Sequence, residues 1–273
     1  MKSTFNKSIN EIIKKRHSVR NYENREMPKD IKEKLVNYLE EINNSEGPFG
    51  GKVKVQLVKK DDSNKEMKLG TYGVIKGANY YLAVAHKKSE YDLEDLGFLF
   101  EKVILYCTSL GLGTVWLGGT FKKDNFANAM KLKEDEILEI VAPVGIEGGK
   151  KSILGKMFGN NTYKRKDFEE IFFNESFNKS LTKEEAKEYD DVLEMVRIAP
   201  SAINKQPWRI LKEGNNYHIY SSGKSEISRI DIGICLCHFY LSAKEKGLKG
   251  EIKVLNNKED AKYKYVVSWI ESK

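Results

Sequence analysis

Two stretches of this chain repeat one another in order. Asp95-Leu96-Gly97 opens an apolar run of helical period that ends at Gly111-Leu112, and Asp231-Ile232-Gly233 opens another that ends at Gly247-Leu248. The Asp-to-Gly spacing is 16 residues in both. Upstream, Gly77-Ala78-Asn79-Tyr80 matches Gly214-Asn215-Asn216-Tyr217. The helical pattern over 28–42 matches the one over 182–198. Chance can produce any one of these matches, but their shared order points to a duplication. The chain is therefore expected to fold as two related halves, 1–165 and 166–273.

A chain of 273 residues, 40% hydrophobic and 11% aromatic, can bury a sizeable core. No apolar run is long enough to span a membrane. The first residues lead into an amphipathic helix with no apolar h-region, so no signal peptide is expected. Cys107, Cys235 and Cys237 make no disulfide framework, and a reduced cytoplasm is the expected location. The net charge of +7 raises the question of nucleic acid, but the lysines are scattered among 40 acidic residues and read as a solvated surface.

In the first half, Ile9, Ile12 and Ile13 mark a helix that ends at Arg16. Pro28 opens a second helix, where a proline costs no hydrogen bond. Strands are expected over 53–57, 80–85, 114–119 and 137–144. Leu96, Leu99, Phe100, Val103, Ile104, Cys107 and Leu110 share one face of a long helix, with Gly111 as its C′ residue. In the second half, Thr182 and Glu185 form a capping box. Strands are expected over 208–211, 217–220, 252–255 and 263–270, with a helix between 232 and 247.

Two stretches stand outside this regular pattern. Ala199-Pro200-Ser201-Ala202-Ile203-Asn204-Lys205-Gln206-Pro207-Trp208 lies on a helix-to-strand turn. Its prolines remove two N–H donors, and Ser201, Asn204 and Gln206 offer groups that both donate and accept. Such a turn can present neutral polar groups to a flat heterocycle; turns of this composition are also common without any ligand. Arg16-His17-Ser18-Val19-Arg20 follows the first helix. Alone it reads more readily as a solvated basic helix end, favourable to the helix dipole.

Together the two stretches resemble the paired signatures of the FMN-dependent nitroreductase family, Arg-x-Ser-x-Arg and Ala-Pro-Ser-x-x-Asn-x-Gln-Pro-Trp. The chain is most similar to the single-chain tandem branch, the TM nitroreductases. Members are typically homodimers whose FMN sits at the interface, one subunit supplying the basic motif and its partner the Pro-Ser-Asn turn. In this chain the first half keeps the basic motif, but 45–51 stands where the turn belongs. The second half keeps the turn, but 168–172 stands where the basic motif belongs. The resemblance thus implies one working site and one lost site. It also implies an α+β, nitroreductase-like fold: two related halves as an intrachain pseudo-dimer, each a mostly antiparallel sheet with surrounding helices.

For the site, the resemblance implies that Arg16 and Arg20 grip the FMN phosphate with help from the Ser18 hydroxyl. His17 is a further candidate there, although a lone histidine is more often structural. Lys150 or Lys151, after Pro143-Val144-Gly145, is a second candidate for the phosphate, with a solvated loop as the competing reading. Leu117, Gly118 and Gly119 resemble the segment beside the flavin ring, where glycine lets backbone N–H groups approach; a strand end needing positive φ is the other reading. Tyr72 is expected to line the cavity. Pro200, Ser201, Ala202, Asn204 and Gln206 form the flavin-binding turn.

No protein residue is expected to act as acid, base or nucleophile, because the flavin carries the redox chemistry. The implied function is NAD(P)H oxidation, with NADH or NADPH as transient co-substrate, coupled to reduction of a nitroaromatic, quinone or similar small molecule. A non-catalytic flavin-binding or regulatory protein remains the alternative, as do flavin fragmentation, dehalogenation or enone reduction on the same fold. Cys235 and His238 share a helix face, but two such groups are too few for a metal and read as core. No nucleic acid, membrane or metal is expected, and the chain is expected to be a monomer.

Overall fold

The computed structural model describes residues 5, 7–60, 71, 73–149, 164–258 and 262–272. The first half contains helices α1 (Ile9–Lys15), α2 (Lys29–Asn43), α3 (Asp92–Ser109) and α4 (Lys123–Met130). Its strands are β1 (Val53–Lys59), β2 (Tyr80–Lys87), β3 (Gly113–Thr114) and β4 (Glu136–Gly145). The second half contains α5 (Phe168–Ile171), α6 (Lys183–Ala186), α7 (Asp190–Arg197) and α8 (Glu226–Glu245). Its strands are β5 (Phe172–Asn174), β6 (Ser176–Ser180), β7 (Trp208–Glu213), β8 (Asn216–Ser221), β9 (Gly250–Lys253) and β10 (Lys264–Glu271).

The duplication is visible in the sheets. The first is ordered β1-β2-β4-β3 and the second β7-β8-β10-β9, with β5 and β6 added at the β7 edge. Every pairing shared by the two halves is antiparallel. The addition introduces a parallel pair, Phe172 opposite Ile210. The fold is therefore α+β, with two halves arranged as an intrachain pseudo-dimer.

The halves meet where α3 packs on α8, and the glycines of the repeat set how closely. A Cβ on Gly97 would stand 2.2 Å from the carbonyl oxygen of Ile230, and one on Gly233 would stand 2.1 Å from that of Glu94. The two contacts are reciprocal, as a pseudo-two-fold axis requires. One apolar cluster runs through both halves, joining Leu99 and Ile104 to Trp208 and Trp269. Helix α1 is clamped onto the second half. Glu245, at the end of α8, accepts from the Ser8 hydroxyl at 2.8 Å and the Asn10 N–H at 3.2 Å. A carboxylate there complements the positive end of α1.

Several expected elements differ. The strand expected over 114–119 shrinks to β3, because only Gly113 and Thr114 continue the ladder to β4; Leu117 adds an isolated bridge to Val141. The helix expected over 182–198 keeps its capping box but breaks at Lys187, where φ is 55°. The strand expected over 252–255 sits earlier, at Gly250–Lys253.

Candidate cofactor site

The turn after α7 is held from inside. The Asp231 carboxylate, buried on α8, accepts from the Ala202 N–H at 3.0 Å. The Ser201 hydroxyl accepts from the Gln206 N–H at 2.9 Å. Gln206 is fully buried: its amide donates to the Arg197 carbonyl at 3.0 Å and accepts from the Lys166 N–H at 2.9 Å. Its side chain braces the turn. Ile203, Asn204 and Gln206 all have positive φ, at 44°, 58° and 47°. For a β-branched residue this is costly, on the order of 1–3 kcal/mol. Ile203 is also 82% exposed, so packing of its side chain offers little in return.

Asn204 is tied to the segment before α5. Its amide donates to the Lys164 carbonyl at 2.8 Å, and its carbonyl oxygen accepts from the Arg165 guanidinium. Arg165 also donates to the Ile198 carbonyl at 3.0 Å. Burial and the neighbouring charges of Arg16 and Arg197 pull the pKa of Arg165 down to about 10. Arg197 is neutralised by a two-pronged bond to Glu194. Arg165 and Arg16 are not neutralised in this way.

Arg16 is buried, and burial lowers its pKa against the opposing influence of Glu101. Among the described residues its guanidinium makes no hydrogen bond. Ser18 bridges in parallel to Thr114, which fixes the backbone of the basic motif against β3. Arg20 is half-buried, and burial holds its pKa below the ordinary value. His17 is exposed and engaged elsewhere, facing the Lys15 carbonyl at 3.1 Å and the Glu147 carboxylate at 3.0 Å.

The segment 117–119 and the turn converge at the first turn of α8. A Cβ on Gly118 would lie 4.0 Å from the Ile227 methyl. Ile227 stands one helical turn before Asp231 and so shares its face beside Ala202. Leu117 is buried, whereas Gly118 and Gly119 are exposed. Tyr72, Lys150 and Lys151 lie outside the described residues.

Residues 8–243 match the family described as "Putative TM nitroreductase". The chain belongs to this family. It is thus an oxidoreductase of the TM nitroreductase type. A Thermotoga maritima structure, named as a putative nitroreductase, is 23% identical, with a TM-score of 0.62; the match covers 97% of this chain and 94% of that one. A nitroreductase family protein of Clostridium difficile is 19% identical over 54% of this chain and 88% of its own, with a TM-score of 0.41. An FMN-dependent nitroreductase of the same species is 18% identical over 52% and 88%, also at 0.41. No curated protein matches.

In this TM nitroreductase burial and the charge of the first-half Arg16 lower the pKa of Arg165, the residue that holds Asn204 of the second-half turn. Arg165 is a residue that reading the sequence passed over. The signal was the basic run Lys164-Arg165-Lys166, which follows Lys150-Lys151 at a distance. Asp231 could have been found from the repeat, because its counterpart Asp95 accepts from Phe49 N–H at 2.9 Å and Gly51 N–H at 2.7 Å. The mirror loop is thus pinned in the same way, yet Phe49 stacks on Tyr91 at 4.5 Å instead of standing exposed. His238 and Cys235 are buried, and among the described residues no group of side chains could hold a metal. No helix of the described residues is long and apolar enough to cross a membrane.

Proposed function

We propose that this chain holds one FMN across its two halves and uses it to oxidise NADH or NADPH and reduce a small, flat acceptor such as a nitroaromatic or quinone. One observation carries the reading. Arg16 is buried and Arg165 half-buried, burial and the charge of Arg16 lower the pKa of Arg165, and neither guanidinium hydrogen-bonds to a carboxylate among the described residues. Two like charges so placed fit a phosphate monoester dianion, which each can grip through a fork of N–H donors. The motif resemblance supports FMN as the molecule that carries that phosphate.

In this arrangement Arg16 and Arg165 bind the phosphate, with Ser18 and Arg20 beside them. Gly118 and Gly119 leave open backbone for the ring edge. Pro200, Ser201, Ala202 and Asn204 shape the opposite wall, and Gln206 braces it. When bound, FMN supplies hydride transfer in both directions. The exposed Ile203 and Ile227 at the site's edge favour an apolar acceptor over a charged one. We place the boundary of the halves near residue 165, the protein in the cytoplasm, and the chain as a monomer without nucleic-acid partners.

The test is to titrate the purified protein with FMN and with riboflavin, and to measure FMN per chain alongside solution mass. A monomer with one FMN and much weaker riboflavin binding is expected. No FMN binding at micromolar concentration would overturn the proposal, and two FMN per chain would overturn the single-site reading. Steady-state NAD(P)H oxidation with and without acceptors separates an enzyme from a flavin-binding protein.

A further inference from the structure

One place in the repeat is filled in the first half and open in the second. Lys59 on β1 stands opposite Tyr80 on β2, as Lys212 on β7 stands opposite Tyr217 on β8. In the first half the chain itself covers the tyrosine. The Lys32 ammonium lies 5.3 Å from the centre of the Tyr80 ring. The Tyr80 hydroxyl donates to the Glu26 carboxylate, which also pairs with Lys59 at 2.8 Å. An ammonium over the ring and a carboxylate between hydroxyl and lysine complete the arrangement.

The second half has lost both of those side chains. Lys32 is the fourth residue after Pro28, the N-cap of α2, and the fourth after Thr182, the N-cap of α6, is Ala186. Glu26 stands two residues before Pro28, and Ser180 two before Thr182. The helix breaks at Lys187, where φ is 55°, whereas α2 runs unbroken from Lys29 to Asn43. The result is a cavity of about 150 Å³ lined by Ala186, Tyr189, Lys212, Tyr217 and Glu271.

Three of these residues have bonding capacity to spare. Tyr217 is 1% exposed, and its hydroxyl reaches only the Ala186 carbonyl, at 3.4 Å, past the usual O–H···O range. Lys212 donates to the Gly214 carbonyl at 2.6 Å and makes no ion pair among the described residues. Glu271 lies two residues beyond Trp269, the β10 partner of Tyr217; the first-half residue in that register is Ile146, two beyond Val144, the β4 partner of Tyr80. One Glu271 oxygen accepts from the Tyr189 hydroxyl at 3.0 Å, and the other has no partner among the described residues. The exposed Lys187 and Glu188 also line the cavity and offset each other in charge.

We infer that this cavity binds a small free amino acid. Its ammonium takes the place of Lys32 over the Tyr217 ring, beside Glu271. Its carboxylate takes the place of Glu26, between the Tyr217 hydroxyl and Lys212. An amine or a carboxylic acid alone would leave Lys212 or Glu271 without a counter-charge. The volume suits a ligand of about six non-hydrogen atoms, since a cavity of roughly 150 Å³ holds a benzene. FMN has no part in this site.

Isothermal titration of the full chain with L-alanine and β-alanine, against propionate and ethylamine as single-charge controls, tests it. A single saturable site for at least one of the amino acids is expected, with both controls weaker on the order of ten-fold or more, the scale of a lost charge-assisted bond. Lys212→Met and Glu271→Gln should each weaken the amino acid by a similar factor. The double variant Ser180→Glu/Ala186→Lys rebuilds the first-half filling and should abolish binding, with the fold intact by circular dichroism. No saturable binding of either amino acid at tens of millimolar overturns the assignment. So does a control that binds as tightly, or full affinity in any of these variants. If the double variant does not fold, Lys212→Met and Glu271→Gln decide.

Discussion

The Arg165 guanidinium donates to the Asn204 side-chain carbonyl while it stands in the field of Arg16. That contact ties the strained turn to the segment before α5, and it makes Arg165 the residue through which the proposed phosphate site is tested. Replacing Arg165 with Ala should weaken FMN by about 1.5–3 kcal/mol, the range for a hydrogen bond to a charged group. Riboflavin should lose much less. Fluorescence titration with both ligands reads the difference, and equal losses would move Arg165 away from the phosphate. Arg165→Lys should recover only part, because an ammonium lacks the planar fork.

Burial pushes the Asp231 carboxyl up to about 7 from 3.8, against the opposing pull of the Ala202 N–H and Lys205. The unfolded chain gives up this proton near its ordinary value, whereas the folded chain keeps it until about pH 7. Between those values unfolding releases a proton, so the group's contribution to stability falls as pH rises, and the fall is complete above about 7. At about 1.4 kcal/mol per pKa unit the loss amounts to a few kcal/mol. Asp231→Asn keeps an acceptor for Ala202 and removes the titration. Urea melts should show it gaining on wild type between pH 4 and 8; parallel pH profiles would refute this account.

The backbone contact between the halves allows no side chain. Gly97→Ala and Gly233→Ala each press a methyl onto a main-chain carbonyl that cannot rotate away. Each should destabilise by at least the ~1–3 kcal/mol typical of overpacking. Denaturant midpoints measure this, and FMN release should follow the same transition, since the proposed site is built across that interface. A neutral substitution at either position would mean that the helices can separate at little cost.

Ile203 sits at φ 44° with its side chain in solvent. Ile203→Gly removes a left-handed cost of about 1–2 kcal/mol and adds back the ~0.5–1 kcal/mol entropy of glycine. The melting temperature should rise by a degree or more. If the isoleucine is there for the acceptor, KM for an apolar quinone should rise at the same time, with FMN affinity unchanged. A more stable variant with unaltered KM would leave Ile203 without a part in acceptor binding.

The repeat, the capping box at Thr182 and Glu185, the C′ glycine and most strands were legible along the chain. Each depends on residues within a turn or two of one another, where period, capping chemistry and φ preference act directly. The basic motif of one half and the Pro-Ser-Asn turn of the other were likewise read directly from the sequence. Four other features depend on distant residues. Arg165 meets Asn204 and the field of Arg16. Gln206 turns inward to brace Arg197 and Lys166. Phe172 pairs in parallel with Ile210, and Glu101 is shared between Trp116 and His238. A polar side chain carries the same letter whether it faces a ligand or a neighbour's backbone. Which of the two it does is decided only when folding removes water and leaves each buried donor and acceptor to find a partner.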